Sequence, residues 1–217
     1  MIKAAIFDMD GLLIDSEPLW RQAEIDAFGT VGVRVTDKEL QTHLGRGITY
    51  LVNYYFRTQP WDGVSVEKME ELIIKDLIEL VNKEGKIKPG VIKVINDLKA
   101  KNISLAIASS SSMKVINAIV EKLGIRENFE HIYSAEHEPY AKPNPGVFIT
   151  TANLLDVIPE ECLVFEDAPS GVLAAKAGRM HCVAVPEPEL RDNKFIQTAD
   201  IIIDSLEEFD DLMLASL

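Results

Sequence analysis

The sequence contains few of the residues that build disulfide frameworks or zinc-type metal sites. Only two of its 217 residues are cysteine, Cys162 and Cys182. Both lie in apolar, strand-like runs, which predicts buried thiols rather than a disulfide. The four histidines show no metal-ligand spacing, and we interpret them as structural or surface residues. They are His43, His131, His137 and His181.

Long apolar runs and basic charge are also scarce. No apolar run approaches the ~20 residues of a membrane span, and no basic-then-apolar leader precedes the first strand-like segment. We therefore expect a cytoplasmic protein without membrane contact. The chain has 22 basic and 35 acidic residues, a formal net charge of −13. This charge repels polyanions, which argues against nucleic acid as a partner. An anionic substrate would need local attraction from a metal, a lysine or backbone amides.

A short apolar segment near the N-terminus ends in two aspartates. Residues 3–11 read Lys-Ala-Ala-Ile-Phe-Asp-Met-Asp-Gly, which is typical of a strand buried on both faces of a parallel sheet. Ligands bind at the carboxyl ends of such strands. Asp8 and Asp10 would repel each other unless something neutralises them, and their oxygens suit Mg²⁺. Alternatively, they only end a strand and begin a turn.

The pattern of apolar residues divides the chain into two parts. From Ser16 to about residue 87 we find helical periodicity and no clear strand, whereas strands and helices alternate from Pro89 onwards. This pattern predicts an α/β protein with a Rossmann-like parallel sheet core, residues 1–15 and 88–217, and a small inserted all-helical domain, residues 16–87.

Several local signals mark individual helices. Ser16 is a candidate N-cap, and Thr36 and Glu39 have the spacing of a capping box. The longest helix is predicted over residues 66–84. Near the C-terminus, a final amphipathic helix is predicted from the spacing of three apolar residues. These are Leu206, Phe209 and Met213.

Polar residues follow the later predicted strands as well. Ser109 and Ser110 follow the strand 105–108 and begin a helix, where hydroxyls and free amides suit an anion, although a plain serine cap is equally compatible. Lys142 lies in a proline-stiffened loop after another strand, and a solvated lysine is the ordinary interpretation. Glu166 and Asp167 close the strand 162–165. Because the carboxyl ends of parallel strands meet at one edge, these groups can converge with Asp8 and Asp10.

In their order along the chain, these residues resemble the motifs of the haloacid dehalogenase superfamily of phosphotransferases. The matching motifs are Asp8-Met9-Asp10-Gly11, Ser109, Lys142 with Pro143, and Glu166-Asp167. They span nearly the whole length. The resemblance implies the fold of that superfamily, with the helical insertion as the cap domain found in its β-phosphoglucomutase-like branch.

The resemblance also implies roles for these residues. Asp8 would be the nucleophile that forms an aspartyl-phosphate, and Asp10 the general acid and base. Mg²⁺ would be held by Asp8, the backbone carbonyl of Asp10, and Asp167, with Glu166 binding it directly or ordering its waters.

The phosphate would lie among three further residues. The resemblance assigns its oxygens to Ser109, the Ser110 amide and Lys142. The implied partner is a small-molecule sugar phosphate, and we expect a monomer.

The substrate class follows from a narrower resemblance. Residues 15–20, Asp-Ser-Glu-Pro-Leu-Trp, and residues 59–63 are similar to bacterial hexose- and hexitol-phosphate phosphatases, including 2-deoxyglucose-6-phosphate phosphatases. The expected activity is therefore a Mg²⁺-dependent sugar-phosphate phosphatase. β-Phosphoglucomutase is the nearest alternative, although such mutases carry a histidine about where Trp20 stands. The second alternative is a catalytically idle sugar-phosphate-binding protein.

Three residues are candidates for substrate specificity: Asp15, Trp20 and Arg46. Trp20 could face the core of the helical domain or stack on a sugar ring. Arg46, between two glycines, could meet sugar hydroxyls or remain solvated.

Overall fold

The computed structural model describes residues 1–43 and 47–217. The chain divides into two compact units, Met1–Ile14 with Ile87–Leu217, and Asp15–Lys86. We call these the sheet unit and the helical unit. Each division lies one residue before the predicted one. In chain order the strands and α-helices are β1 (Ala4–Phe7), α1 (Glu17–Thr30), α2 (Asp37–Gln41), α3 (Ile48–Thr58), α4 (Val66–Glu84), α5 (Val91–Ala100), β2 (Ser104–Ser109), α6 (Met113–Leu123), β3 (His131–Ser134), α7 (Gly146–Leu154), β4 (Cys162–Glu166), α8 (Pro169–Ala177), β5 (His181–Ala184), β6 (Ile201–Ile202) and α9 (Asp211–Ser216). Short 3-10 helices lie at Arg126–Asn128, Ala135–His137, Pro159–Glu161, Pro188–Leu190, Ile196–Thr198 and Leu206–Glu208.

The sheet unit is built on a parallel sheet with the strand order β3-β2-β1-β4-β5-β6. This order confirms the predicted Rossmann-like core. β1 lies in the centre and pairs with β2 and β4, and all four of its residues are buried. Such a near-continuous apolar run is expected where a strand is covered on both faces. Because the paired strands all run in one direction, their carboxyl ends lie at one edge.

Aromatic packing fixes the ends of the two central strands. The rings of Phe7 and Phe165 stack with their centroids 4.8 Å apart, and Phe129 meets Phe7 edge-on at 5.8 Å. Offset stacks and edge-to-face contacts of this kind are favourable in a core. Phe7 directly precedes Asp8, and Phe165 directly precedes Glu166, so the stacked pair holds the positions from which both carboxylates extend.

The helical unit is held together mainly by the packing of α1 against α4. α4 spans the predicted residues, and the predicted capping box is present at α2. The Glu39 amide donates to Thr36 Oγ1 at 3.3 Å, and the Thr36 amide donates to the Glu39 carboxylate at 2.8 Å. The two helices bury one stripe each: Leu19, Ala23, Ala27 and Phe28 on α1, and Met69, Ile73, Leu77 and Val81 on α4.

One local prediction holds only in part, and another is wrong. Ser16 occupies the N-cap position of α1, but its side chain makes no capping hydrogen bond. Its backbone has φ −99° and ψ −18° instead of the extended conformation of a capping serine, and Pro18 at the second helical position has no N–H to donate. The predicted C-terminal helix is divided, with Leu206 in a 3-10 helix and Met213 in α9. Asp210 separates them because its Oδ1 accepts the amides of residues 212 and 213 and so begins a new helix.

Both cysteines are free and buried, as predicted. Burial raises the pKa of the Cys162 thiol to about 12, and it also raises the pKa of Cys182. Both thiols are therefore inert side chains of the core at neutral pH. Among the described residues, no helix has the length and apolar character needed to cross a membrane.

Candidate active site

An ammonium group links the ends of three strands at the carboxyl edge of the sheet. Lys142 Nζ lies 2.5 Å from Asp8 Oδ1, after β1, and 2.8 Å from Glu166 Oε1, at the end of β4. It also donates to the carbonyl oxygen of Ala108 in β2 at 3.2 Å. The Lys142 side chain is only 4% exposed, so it is not the solvated lysine of the ordinary interpretation. The ring of Phe148 lies 4.5 Å from Nζ, a cation–π contact.

Burial and charge act in opposite directions on these groups. Burial raises the pKa of the Asp8 carboxyl group to about 7, the Lys142 ammonium opposes the rise, and the Glu166 carboxylate adds to it. For Lys142, burial alone would lower the pKa, but the Asp8 and Glu166 carboxylates together hold it above its ordinary value. Lys142 is therefore a fixed positive charge at the sheet edge.

The same edge offers a set of oxygen ligands for a divalent cation. Asp8, Glu166 and Asp167 each present a carboxylate oxygen, and these oxygens lie within 4.8 Å of one another. Gly11 has a φ of +77°, and a Cβ at this position would collide with the Asp167 carboxylate. Glycine is therefore needed for this close approach. Carboxylate oxygens are the ligands that Mg²⁺ prefers, and three carboxylates against one ammonium give a net negative charge that Mg²⁺ would offset. The residues present thus fit the ion.

Asp10 is joined to the serine run that follows β2. Its Oδ2 accepts a hydrogen bond from Ser111 Oγ at 2.7 Å. Ser109, the buried last residue of β2, accepts the Ser111 amide on its own Oγ at 3.0 Å. Ser110 is exposed. The run therefore presents hydroxyls and amides at the edge where Asp8 lies, one strand away.

The serine run does not cap the following helix. Ser112 occupies the N-cap position of α6 but makes no side-chain capping bond, and its buried Oγ has no hydrogen-bond partner in the described chain. The Met113 amide instead donates to the carboxylate of Glu136 at 3.2 Å. The alternative of a plain serine cap is thus not what the structure has.

Two of the three predicted specificity residues lie in the described part of the helical unit. Asp15 is exposed and Trp20 is half-buried, and both belong to the helical unit. Trp20 lies outside the fully buried stripe of α1. Arg46 falls outside the described residues.

Two contacts of the site were missed from the sequence. Only the first two serines of the run 109–112 were assigned a role, and Ser111 was not. The spacing of Ser109 and Ser111 after a strand was the available signal. Phe148 lies in α7, and its contact with Lys142 had no signal in the sequence.

The chain is similar to known proteins along most of its length. The model of the haloacid dehalogenase-like hydrolase family matches residues 2–179. Hexitol phosphatase B of Escherichia coli (strain K12) is 38% identical over 208 residues, which are 95% of this chain and 94% of that protein.

Solved structures extend the comparison to the fold. CbbY from Rhodobacter sphaeroides, in complex with phosphate, has a TM-score of 0.88 and 27% identity, covering 96% of each chain. β-Phosphoglucomutase from Clostridium difficile has a TM-score of 0.83 and 25% identity, covering 100% of this chain and 96% of its own. With a family model that covers most of the chain and a relative 38% identical along nearly all of it, the chain belongs to the haloacid dehalogenase-like hydrolase family.

Proposed function

We propose that this protein is a Mg²⁺-dependent phosphatase of hexitol or hexose phosphates that acts through an aspartyl-phosphate on Asp8. The observation that carries the proposal is the buried Asp8 carboxylate at the end of the central strand, bound to the Lys142 ammonium and close to two further carboxylates. Phosphoryl transfer requires a positioned nucleophile and neutralisation of the phosphoryl oxygens, and this cluster contains groups suited to both.

Asp8 would supply the nucleophilic oxygen. In the first step an Asp8 oxygen bonds to phosphorus as the bond from phosphorus to the sugar oxygen breaks, and Asp10 gives its proton to that oxygen. In the second step Asp10 takes a proton from water, the water oxygen bonds to phosphorus, and the bond to Asp8 breaks to release phosphate. Two easier steps thus replace one difficult hydrolysis.

Some of the groups around Asp8 would bind the metal, and others would bind the phosphate. Mg²⁺, when bound, would neutralise charge on the phosphoryl oxygens. Asp8, the Asp10 carbonyl and Asp167 would hold it. Both Glu166 oxygens already accept hydrogen bonds, Oε1 from Lys142 and Oε2 from the Ala168 amide at 2.9 Å. This favours Glu166 as the group that orients Lys142 and the waters of the metal.

Lys142, with Ser109 and the Ser110 amide, would bind the phosphate oxygens. An ammonium has three N–H donors, and Lys142 Nζ has three acceptors in this structure. A phosphoryl oxygen would therefore exchange with one of them, and the buried positive charge would stabilise the transferring group.

The substrate class rests on the relatives. Hexitol phosphatase B is 38% identical to this chain, whereas the β-phosphoglucomutase structure is 25% identical. Together with Trp20 in place of the mutase histidine, this favours hydrolysis over isomerisation. Asp15, Trp20 and Arg46 remain predicted specificity residues.

A panel of phosphate esters tests the proposal. Phosphate release is measured from hexitol 6-phosphates, hexose 6-phosphates, β-glucose 1-phosphate and p-nitrophenyl phosphate, with Mg²⁺ and with EDTA. We expect release from a hexitol or hexose phosphate that depends on Mg²⁺. Efficient conversion of β-glucose 1-phosphate to glucose 6-phosphate, primed by a bisphosphate and with slow phosphate release, would instead identify a mutase.

The Asp8→Asn variant tests the nucleophile. Its amide cannot form the acyl phosphate, so we expect kcat to fall by on the order of 10⁶-fold, the loss found when a catalytic nucleophile is removed. Asp97→Asn is the matched control, because this exposed carboxylate lies on the surface of α5, where it forms an ion pair with Lys93. Substantial turnover by Asp8→Asn, with a circular dichroism spectrum like that of the wild type, would reject the mechanism.

A further inference from the structure

We propose that Ser111 is a positioning residue that fixes the Asp10 carboxyl group for proton transfer to the leaving oxygen. This inference rests on the proposed acid and base role of Asp10. It assigns a function to a serine that the motifs of the sequence leave unassigned.

The contact joins two loops at the sheet edge. Ser111 Oγ donates to Asp10 Oδ2 at 2.7 Å, although the residues are 101 positions apart. A hydroxyl group has one proton to donate. While Oδ2 accepts that proton, Oδ1 is the oxygen favoured to carry the acidic proton of Asp10. The hydrogen bond therefore selects the oxygen from which Asp10 donates and limits rotation of its carboxyl group.

Ser111 is itself fixed on both sides by the ends of neighbouring strands. Its amide donates to Oγ of Ser109, the last residue of β2. Its carbonyl oxygen accepts from Oγ of Ser134, the fully buried last residue of β3, at 2.6 Å. The Ser134 Oγ in turn accepts the amide of Glu136 at 3.0 Å.

These contacts give Asp10 a link to the rigid part of the fold. Asp10 lies beyond the end of β1, next to Gly11 with its positive φ, where its backbone forms an isolated bridge with Ile14 and not a continuous strand. Catalytic groups must be held within narrow limits of distance and angle, which neighbouring hydrogen bonds ensure. Because Ser111 is hydrogen-bonded to the ends of β2 and β3, its own hydrogen bond holds the Asp10 side chain in a fixed position relative to those strands.

A purely structural role for Ser111 would have different consequences. If the hydroxyl only stabilised the turn after β2, its loss would affect every substrate equally. If it positions the acid, its loss matters most when the leaving group needs a proton. A sugar alkoxide needs one, whereas p-nitrophenolate leaves without protonation.

The test compares kcat/KM, which reports the first step, for sorbitol 6-phosphate and p-nitrophenyl phosphate. We expect Ser111→Ala to lower kcat/KM for sorbitol 6-phosphate at least ~10-fold more than for p-nitrophenyl phosphate. Ser111→Thr keeps the hydroxyl and should restore most of the lost activity. Ser112→Ala is the matched control, because it removes the neighbouring hydroxyl, which has no hydrogen-bond partner in the described chain. It should leave both substrates unaffected.

Other results would contradict the positioning role of Ser111 or the acid role of Asp10. An equal loss for both substrates, or no loss for either, would overturn the positioning role. If Ser111→Ala is too unstable to measure, Ser111→Cys, whose thiol is a weak donor of similar size, carries the same expectation. Asp10→Asn separates the two proposals. If it shows the selective loss and Ser111→Ala does not, only the inference fails; if it shows none, the acid role in the proposed function fails with it.

Discussion

Lys142 places one positive charge among buried carboxylates at the sheet edge. Its side chain and that of Glu166 are 4% and 1% exposed, so neither charge is compensated by bulk water. Each charged group in such a cluster depends on its partners, because an unpaired buried charge is costly. Lys142 should therefore contribute to stability as well as to the proposed phosphate binding.

Removing this charge should destabilise the protein. We expect Lys142→Met to lower the free energy of unfolding at pH 8 by about 3 kcal/mol, because Asp8 and Glu166 lose their counter-ion while remaining buried. The control is Lys176→Met, which breaks the half-exposed pair with Asp200 and should cost about 1 kcal/mol or less. Urea denaturation of both variants, without Mg²⁺, measures the difference. Equal losses would show that Lys142 acts on the phosphate alone.

Residues at strand ends could be predicted from the sequence, whereas those placed by turns could not. Asp8 and Asp167 directly follow buried strands and Glu166 ends one, so the rule that parallel strands end at one edge brings the three together. The contact of Ser111 with Asp10 depends on the turn geometry after β2 and on the hydrogen bond from Ser134. No local sequence pattern predicts either of these.

Glu24 gives the helix α1 a predicted response to pH. Burial raises the pKa of its carboxyl group to about 8, Glu17 adds to the rise, and Arg21 opposes it. An unfolded glutamate titrates near pH 4.3. Between these two values the folded state binds more protons than the unfolded state, so this group makes stability fall as pH rises.

Substitution with glutamine should remove this dependence. We expect Glu24→Gln to resemble the wild type near pH 5 and to become the more stable protein as pH rises, by on the order of 2 kcal/mol at pH 9. Glu79→Gln, which removes an exposed carboxylate of α4 paired with Lys75, controls for the change in net charge. Thermal unfolding from pH 5.5 to 9 measures both. A difference independent of pH would contradict the burial of an ionisable Glu24.

Elements with strong local signals were predicted accurately, and the C-terminal helix was not. α4 has a continuous apolar stripe and a serine cap, Ser65, that accepts the Lys68 amide. At the C-terminus two caps lie close together, because Ser205 begins the 3-10 helix and Asp210 begins α9. The spacing of Leu206, Phe209 and Met213 is that of a single helix, so it did not indicate two separate segments. Tertiary contacts also hold the first of these segments in place: Leu206 lies close to Gly90, and Lys93 Nζ donates to the carbonyl of Phe209 at 2.7 Å.

At the scale of the whole molecule, the sequence predicts two parts from the order of its apolar segments. A helical stretch interrupts the alternation of strands and helices, and the boundaries at residues 14 and 86 follow that change. The net charge of −13 is a property of the same scale. It makes the whole protein attractive to cations, so a stabilising effect of Mg²⁺ has to be separated from general screening.

Binding of Mg²⁺ at the proposed metal site should therefore raise the melting temperature by more than screening of the net charge does. A ligand that binds only the folded state stabilises it by about 2.7 kcal/mol at 100 times its dissociation constant. We expect Mg²⁺ to raise the melting temperature at constant ionic strength, and Asp167→Asn to remove most of that rise because it deletes one of the three clustered carboxylates. Asp204→Asn, which alters an exposed carboxylate paired with Arg191, should keep it. If Mg²⁺ raised the melting temperature of both variants equally, the ion would be acting on the overall charge of the molecule rather than on a site at the end of β1 and β4.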